Sequence, residues 1–133
     1  MPKPKPSDLE LQVLSVLWDK GPSTVREVLF AMPDGKQRAY TTALSVMQVM
    51  EKKGLLTHDV KGRTHVYRPT VTRRQTLRPM LRGLVKNVFG GSTATAVQHL
   101  LRETDVSGRE LAEIRRLLRE QENAGRQAGG GKP

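Results

Sequence analysis

Four polar side chains recur at spacings of four, three and four within AYTTALSVMQVMEKKGLL: Thr41, Ser45, Gln48 and Lys52. On a helix that spacing puts them on one side, because each residue turns the helix by about 100°. Hydroxyls, a carboxamide and an ammonium in a row suit hydrogen bonding to base edges and phosphates. Ser and Thr reach either, a Thr methyl can meet a thymine methyl, and Gln pairs with adenine through two bonds. Alone, such a row also describes the wet side of any amphipathic helix. Its neighbours favour the first reading. Thr42 lies beside it, Arg38 and Tyr40 stand at the start of the run, where amides and side chains commonly fix a phosphate, and Lys61 and Arg63 flank Gly62 further on.

Other chemistries have less support. His58 and His65 with Asp59 could in principle meet a metal, but a structural zinc site wants four ligands and the chain has no cysteine. No metal site is expected. Cysteine nucleophiles and disulfides are excluded on the same ground. His99, on an apolar helical stretch, reads as a surface or interface residue. With no Ser-His-Asp spacing, glycine-rich phosphate loop or HExxH motif, neither catalysis nor a cofactor nor a small-molecule substrate is expected.

The charge points to a polyanion. The 133 residues carry a net charge of +10. Residues 1–50 hold six basic and five acidic side chains, residues 51–90 hold ten and two, and residues 91–133 hold seven and six. The excess therefore sits in the middle of the chain, although charge alone cannot separate DNA from RNA or a membrane surface. No apolar run approaches the roughly 20 residues of a membrane span, and MPKPKPSD lacks the apolar region of a signal peptide. A cytoplasmic location is expected.

Several elements must position these residues. Residues 1–6 alternate Pro and Lys and read as a flexible arm. Ser7 and Glu10 have capping-box spacing and open a helix with Leu9, Val13, Leu14, Leu17 and Trp18 at spacings of three and four. Ser23 or Thr24 can cap the next, short helix, and Thr24 with Glu27 repeats the box spacing, with Val25, Val28 and Leu29 inward. Pro33 and Gly35 break it. A third helix runs from about Ala39 to Lys53 with Ala43, Val46, Met47 and Met50 inward, and Gly54 ends it in the left-handed conformation. The period then changes: LLTHDV and THVYRP, rich in β-branched and aromatic residues and joined by KGR, predict a hairpin. Pro69 closes the second strand, as on an edge with no further partner.

From Thr72 the helical period returns through Leu77, Leu81, Leu84, Val85 and Val88. Pro79 costs about 3 kcal/mol in a helix interior, so the helix is either kinked there or starts near it. A short helix follows FGGS. Ser107 and Glu110 form another capping box before a last amphipathic helix, and residues 124–133 read as a disordered tail by composition.

Three helices closed by a hairpin describe a winged helix-turn-helix, whose third helix enters the major groove while the hairpin touches flanking backbone. The fold expected is mainly α with a small β-hairpin: a winged-helix DNA-binding domain over residues 7–71 and a helical dimerisation domain over 72–123. Thr41, Thr42, Ser45 and Gln48 are candidates for contacts at or near the bases, and Arg38, Tyr40, Lys52, Lys61 and Arg63 for the backbone. The C-terminal helices carry more apolar surface than one small appendage can cover, and the simplest partner is a second copy. Leu84, Val88, Val97, Leu100, Leu101, Leu111, Ile114, Leu117 and Leu118 are the candidate dimer residues. A two-fold dimer would demand a palindromic operator on double-stranded DNA.

The segments LELQVLSVLWDKGPSTVREV, AYTTALSVMQVMEKKGLL, GRTHVYRPTV and FGGS give the chain, from about Ser7 to Glu122, a sequence that resembles the penicillinase-repressor (BlaI/MecI-like) family of bacterial transcription regulators. The resemblance implies a homodimer of winged-helix heads joined by interlocked helices, repressing transcription from a dyad operator. It further implies a membrane sensor protease as partner and relief by cleavage within the dimerisation helices. The family's Asn-Phe scissile pair aligns with His99 and Leu100, a departure from its rule. Pro79 is another departure. The copper-sensing mode of some relatives uses C-terminal cysteines, which this chain lacks.

Two rival classes remain beside the repressor: a nonspecific architectural or RNA-associated basic protein, and an adaptor whose winged helix has lost DNA. The basic hairpin argues against the adaptor.

Overall fold

The computed structural model describes residues 5–129. Helix α1 (Asp8–Lys20), α2 (Val25–Phe30) and α3 (Tyr40–Lys52) are followed by β1 (Leu56–Lys61), β2 (Thr64–Pro69), α4 (Arg73–Val88), α5 (Thr93–Glu103) and α6 (Gly108–Gly129). The chain divides into two compact units, up to Gly83 and from Leu84 onward, with the division inside α4.

In the first unit the caps form where their spacing placed them. Ser7 Oγ accepts from the Glu10 amide at 3.2 Å while Glu10 Oε1 accepts from the Ser7 amide at 2.9 Å. Thr24 and Glu27 make the same reciprocal pair at 3.1 and 2.9 Å. Both boxes satisfy amides that a helix start leaves without partners. Glu10 does more than cap: it is buried, and it accepts from Lys53 Nζ at 2.9 Å, tying the start of α1 to the end of α3. The core collects Val13, Leu14, Val16 and Leu17 of α1, Val25 and Val28 of α2, and Met47 and Met50 of α3, with Leu55, Leu56 and Tyr67. Leu9 and Trp18 pack against it only partly buried. A mostly aliphatic core explains why so few aromatic residues suffice.

Gly54, at φ 82°, ends α3 as expected. The two strands pair antiparallel with Leu56 opposite Pro69 and Lys61 opposite Thr64. That register leaves a two-residue turn, Gly62-Arg63, with Gly62 at φ 65° in the first position, where a type II′ turn needs positive φ. One expectation fails here. The outer edge of β2 does have a partner, because Ser23 and Tyr67 exchange backbone hydrogen bonds of 2.9 and 2.8 Å. The segment before α2 thus supplies a single rung that fastens the hairpin to the helices. Trp18 adds a tie beyond the hairpin, donating from Nε1 to the Val71 carbonyl at 2.9 Å.

Helix α4 opens on Thr72, which exchanges hydrogen bonds with Gln75 in a third capping box. It begins at Arg73, well ahead of Pro79, and continues through that proline. The ring removes the amide that would have bonded the Gln75 carbonyl. In the second unit, Ser92 caps α5 by accepting from the Thr95 amide at 3.1 Å, and Ser107 caps α6 by accepting from Glu110 at 3.1 Å. Helix α6 runs to Gly129, into the stretch expected to be a disordered tail. Ala124, Arg126, Gln127 and Ala128 are good helix formers that extend it, and the glycine run begins only at Gly129. Residues 1–4 of the expected arm and 130–133 of the expected tail lie outside the described residues.

Candidate nucleic-acid interface

Helix α3 is two-sided. Met47 and Met50 are fully buried, with Ala43 and Val46 packed beside them, whereas Thr41, Thr42, Ser45, Gln48 and Lys52 are exposed. The row therefore lies on the solvent face, as its period required. Gln48 holds the central place. With Tyr40 and Leu44 it lines one wall of an open cleft whose other wall is Arg63, Thr64 and His65 of the hairpin. With Ser45, Val49, Glu51 and Lys52 it also lines a shallow depression along the helix.

The cations divide into two groups. Lys52, Lys61 and Arg63 are exposed and have no ion-pair partner among the described residues. Arg38 is different. Its guanidinium grips Asp34 with two hydrogen bonds of 3.0 and 2.6 Å, and its side chain is only 17% exposed. Asp34 also accepts from the Lys36 amide at 3.0 Å. The guanidinium expected to meet a phosphate thus already has a carboxylate, and it braces the turn between α2 and α3. The hydrogen bonds between the two side chains raise the Arg38 pKa and, with the bond from the Lys36 amide, hold the Asp34 carboxyl well below the usual range.

Arg26 was missed by sequence reasoning. Its Cζ lies 5.4 Å from the centre of the Tyr40 ring, and the two residues share the cleft with Gln48 and Arg63. Stacking on a ring face holds a guanidinium in place while leaving its N–H groups free to donate. The only sequence signal was a basic residue early in the second helix, with its aromatic partner on the next.

The hairpin histidines serve the hairpin's placement. His58 stacks on His65 with ring centres 4.3 Å apart and planes 14° from parallel. His58 Nδ1 lies 2.7 Å from Glu51 Oε2 on α3. Asp59, on the opposite hairpin face, pairs instead with Arg68 at 3.2 Å. The His58, His65 and Asp59 constellation weighed as a metal site is therefore split across the sheet. Beneath the histidines, burial and then the Glu51 charge push the Tyr67 hydroxyl pKa up.

The second unit exposes its apolar side chains. Leu84, Val88, Val97, Leu100, Leu101, Leu117 and Leu118 are all exposed, and Leu111 and Ile114 are half-buried. The ring of His99 lies 5.2 Å from that of Phe89, so the histidine has a neighbour within its own unit, and the His99–Leu100 bond is in the middle of α5.

The sequence profile described as "Penicillinase repressor" matches residues 6–120. The chain is 26% identical over 120 residues to the "Penicillinase repressor" of Bacillus licheniformis, covering 90% of this chain and 94% of that one. It is 33% identical over 114 residues to the "Transcriptional regulator BlaI" of Mycobacterium tuberculosis, covering 80% and 83%. With a winged helix-turn-helix head and a match spanning nearly its whole length, the chain belongs to the penicillinase repressor family of transcriptional regulators.

Proposed function

We propose that this chain is a sequence-specific repressor that binds a palindromic operator as a homodimer, with α3 reading bases and the hairpin holding the backbone. The observation that carries this reading is the exposed row Thr41, Ser45, Gln48 and Lys52, whose Gln48 shares a cleft with Arg63 of the hairpin, while Lys61 and Arg63 have no ion-pair partner among the described residues. Phosphate contacts supply most of the affinity and carry no sequence information, whereas Gln48 and the hydroxyls supply preference. Arg26 and Tyr40 join the backbone group, and Arg38 acts through the turn it braces.

Homodimerisation is supported by the apolar side chains exposed on α5 and α6, which a second copy would cover. Two heads related by a two-fold axis would place their recognition helices roughly 34 Å, or a multiple of it, apart. Relief of repression is proposed to follow cleavage between His99 and Leu100 by a membrane sensor protease. Because that bond lies within α5, a protease must first unwind the helix to reach it.

Selection of bound fragments from the source genome tests the reading. Enrichment of a dyad motif, bound by two chains, is expected. Fragments with no shared dyad would favour the nonspecific basic protein and end the repressor reading.

A further inference from the structure

Helix α4 carries Arg73, Arg74, Arg78, Arg82 and Lys86 and no acidic residue. Arg73 is accounted for: it pairs with Asp19 at 2.6 Å and lies over the Trp18 ring at 5.4 Å. Arg74, Arg78 and Arg82 are not. All three are exposed, and among the described residues none has a hydrogen-bond or ion-pair partner. Their spacing of four stacks them in one ridge along about 12 Å of helix, roughly opposite the side where Thr76, Leu77 and Met80 are half-buried.

A solvated helix ordinarily treats its charges differently, and α6 is the comparison within this chain. There Arg116 is held between Glu113 and Glu120, and acids alternate with bases along the exposed surface. The α4 ridge does the reverse, placing like charges at i,i+4, where they repel. Such a row gains from a partner with repeated negative charge. Double-stranded DNA presents about one charge per 1.7 Å of its axis, so a ridge of this length can meet several phosphates at once.

We infer that Arg74, Arg78 and Arg82 form a second phosphate-binding surface, independent of sequence, that extends the contact with double-stranded DNA beyond the segment read by α3. This inference rests on the DNA-binding reading above. Two observations tie the ridge to the DNA-binding unit. All three arginines fall within the first compact unit, and the start of α4 is fastened to α1 through Trp18 to Val71 and Arg73 to Asp19. The ridge also continues the basic stretch of residues 51–90 that contains the hairpin.

The test compares full-length chain with Arg74→Gln/Arg78→Gln/Arg82→Gln, using anisotropy titrations on a 40-base-pair duplex carrying a selected site and on a scrambled duplex, across 50 to 200 mM salt. The slope of log affinity against log salt should become shallower by about 2 to 3, since each phosphate contact contributes about 0.9. Affinity should fall by one common factor on both duplexes, leaving their ratio unchanged, and the triple lysine variant should keep the wild-type slope. Circular dichroism confirms that the helices persist. A wild-type slope in the glutamine variant overturns the inference. So does an unchanged slope accompanied by lost binding to an acidic peptide such as polyglutamate, which would make the partner a protein. Failure of the base-reading proposal appears separately, as equal affinity of the wild-type chain for the two duplexes.

Discussion

The Nδ1 of His58 lies 2.7 Å from Oε2 of Glu51, so the first strand of the wing is bonded to the helix that presents Gln48. The two side chains are 27% and 31% exposed, so the bond is partly shielded from water. It fixes the distance between the face that would read bases and the tip that would hold phosphates. Replacing Glu51 with alanine should cost about 0.5–1 kcal/mol of DNA affinity, equally on all sequences, because the wing is no longer held in place. Anisotropy titrations on preferred and scrambled duplexes would check this. A changed preference with unchanged affinity on scrambled DNA would place Glu51 at the bases instead.

Acid should weaken the first unit through two carboxylates. Burial pushes the Glu10 carboxyl up, but hydrogen bonds from the Ser7 amide and from Lys53 outweigh it and leave the group below its ordinary value. Asp34 is also lowered, mainly by Arg38. A depressed folded pKa means that the stabilisation is present above the unfolded value of about 4 and is lost as pH falls through the folded one. Melting temperature should therefore be flat above about pH 5 and fall below about pH 4. Glu10→Gln should lose about 1–2 kcal/mol at neutral pH and show a shallower acid limb. Melts of both proteins between pH 3 and 7 measure this, and an identical acid limb would count against the Glu10 pair.

These two pairs also mark how far the sequence could be read. The capping box of Ser7 and Glu10 and the two sides of α3 follow from spacing alone, since helix period and end effects are local. The partner of Glu10 is Lys53, 43 residues away, and the partner of Tyr67 is Ser23, brought together only by the packed core. In the sequence Arg38 reads as a phosphate contact, because its grip on Asp34 depends on the conformation of a turn whose Pro33 and Gly35 mark only a break. Arg26 was hidden for a similar reason, its aromatic partner lying on another helix. At the C-terminus, composition suggested a tail, whereas the helix-forming residues ahead of the glycine run extend α6 to Gly129.

Disrupting the exposed apolar row of the second unit should separate the proposed dimer. Leu100→Glu/Leu117→Glu places two charges among side chains that are 60% and 50% exposed in the single chain and would be covered by a second copy. Sedimentation equilibrium should show twice the chain mass for the parent and the single-chain mass for the variant, whose affinity for a dyad should fall at least tenfold. A parent already at the single-chain mass at all micromolar concentrations would contradict the assignment.

The most direct measurement compares Gln48→Ala with Arg63→Ala on a selected duplex and its scrambled counterpart across a salt series. Arg63→Ala should weaken both duplexes alike and make the salt slope shallower by about one. Gln48→Ala should cost about 1–3 kcal/mol on the selected duplex only, leaving the scrambled one unchanged. If Gln48→Ala leaves the ratio of specific to nonspecific affinity intact, the outer face of α3 does not read bases.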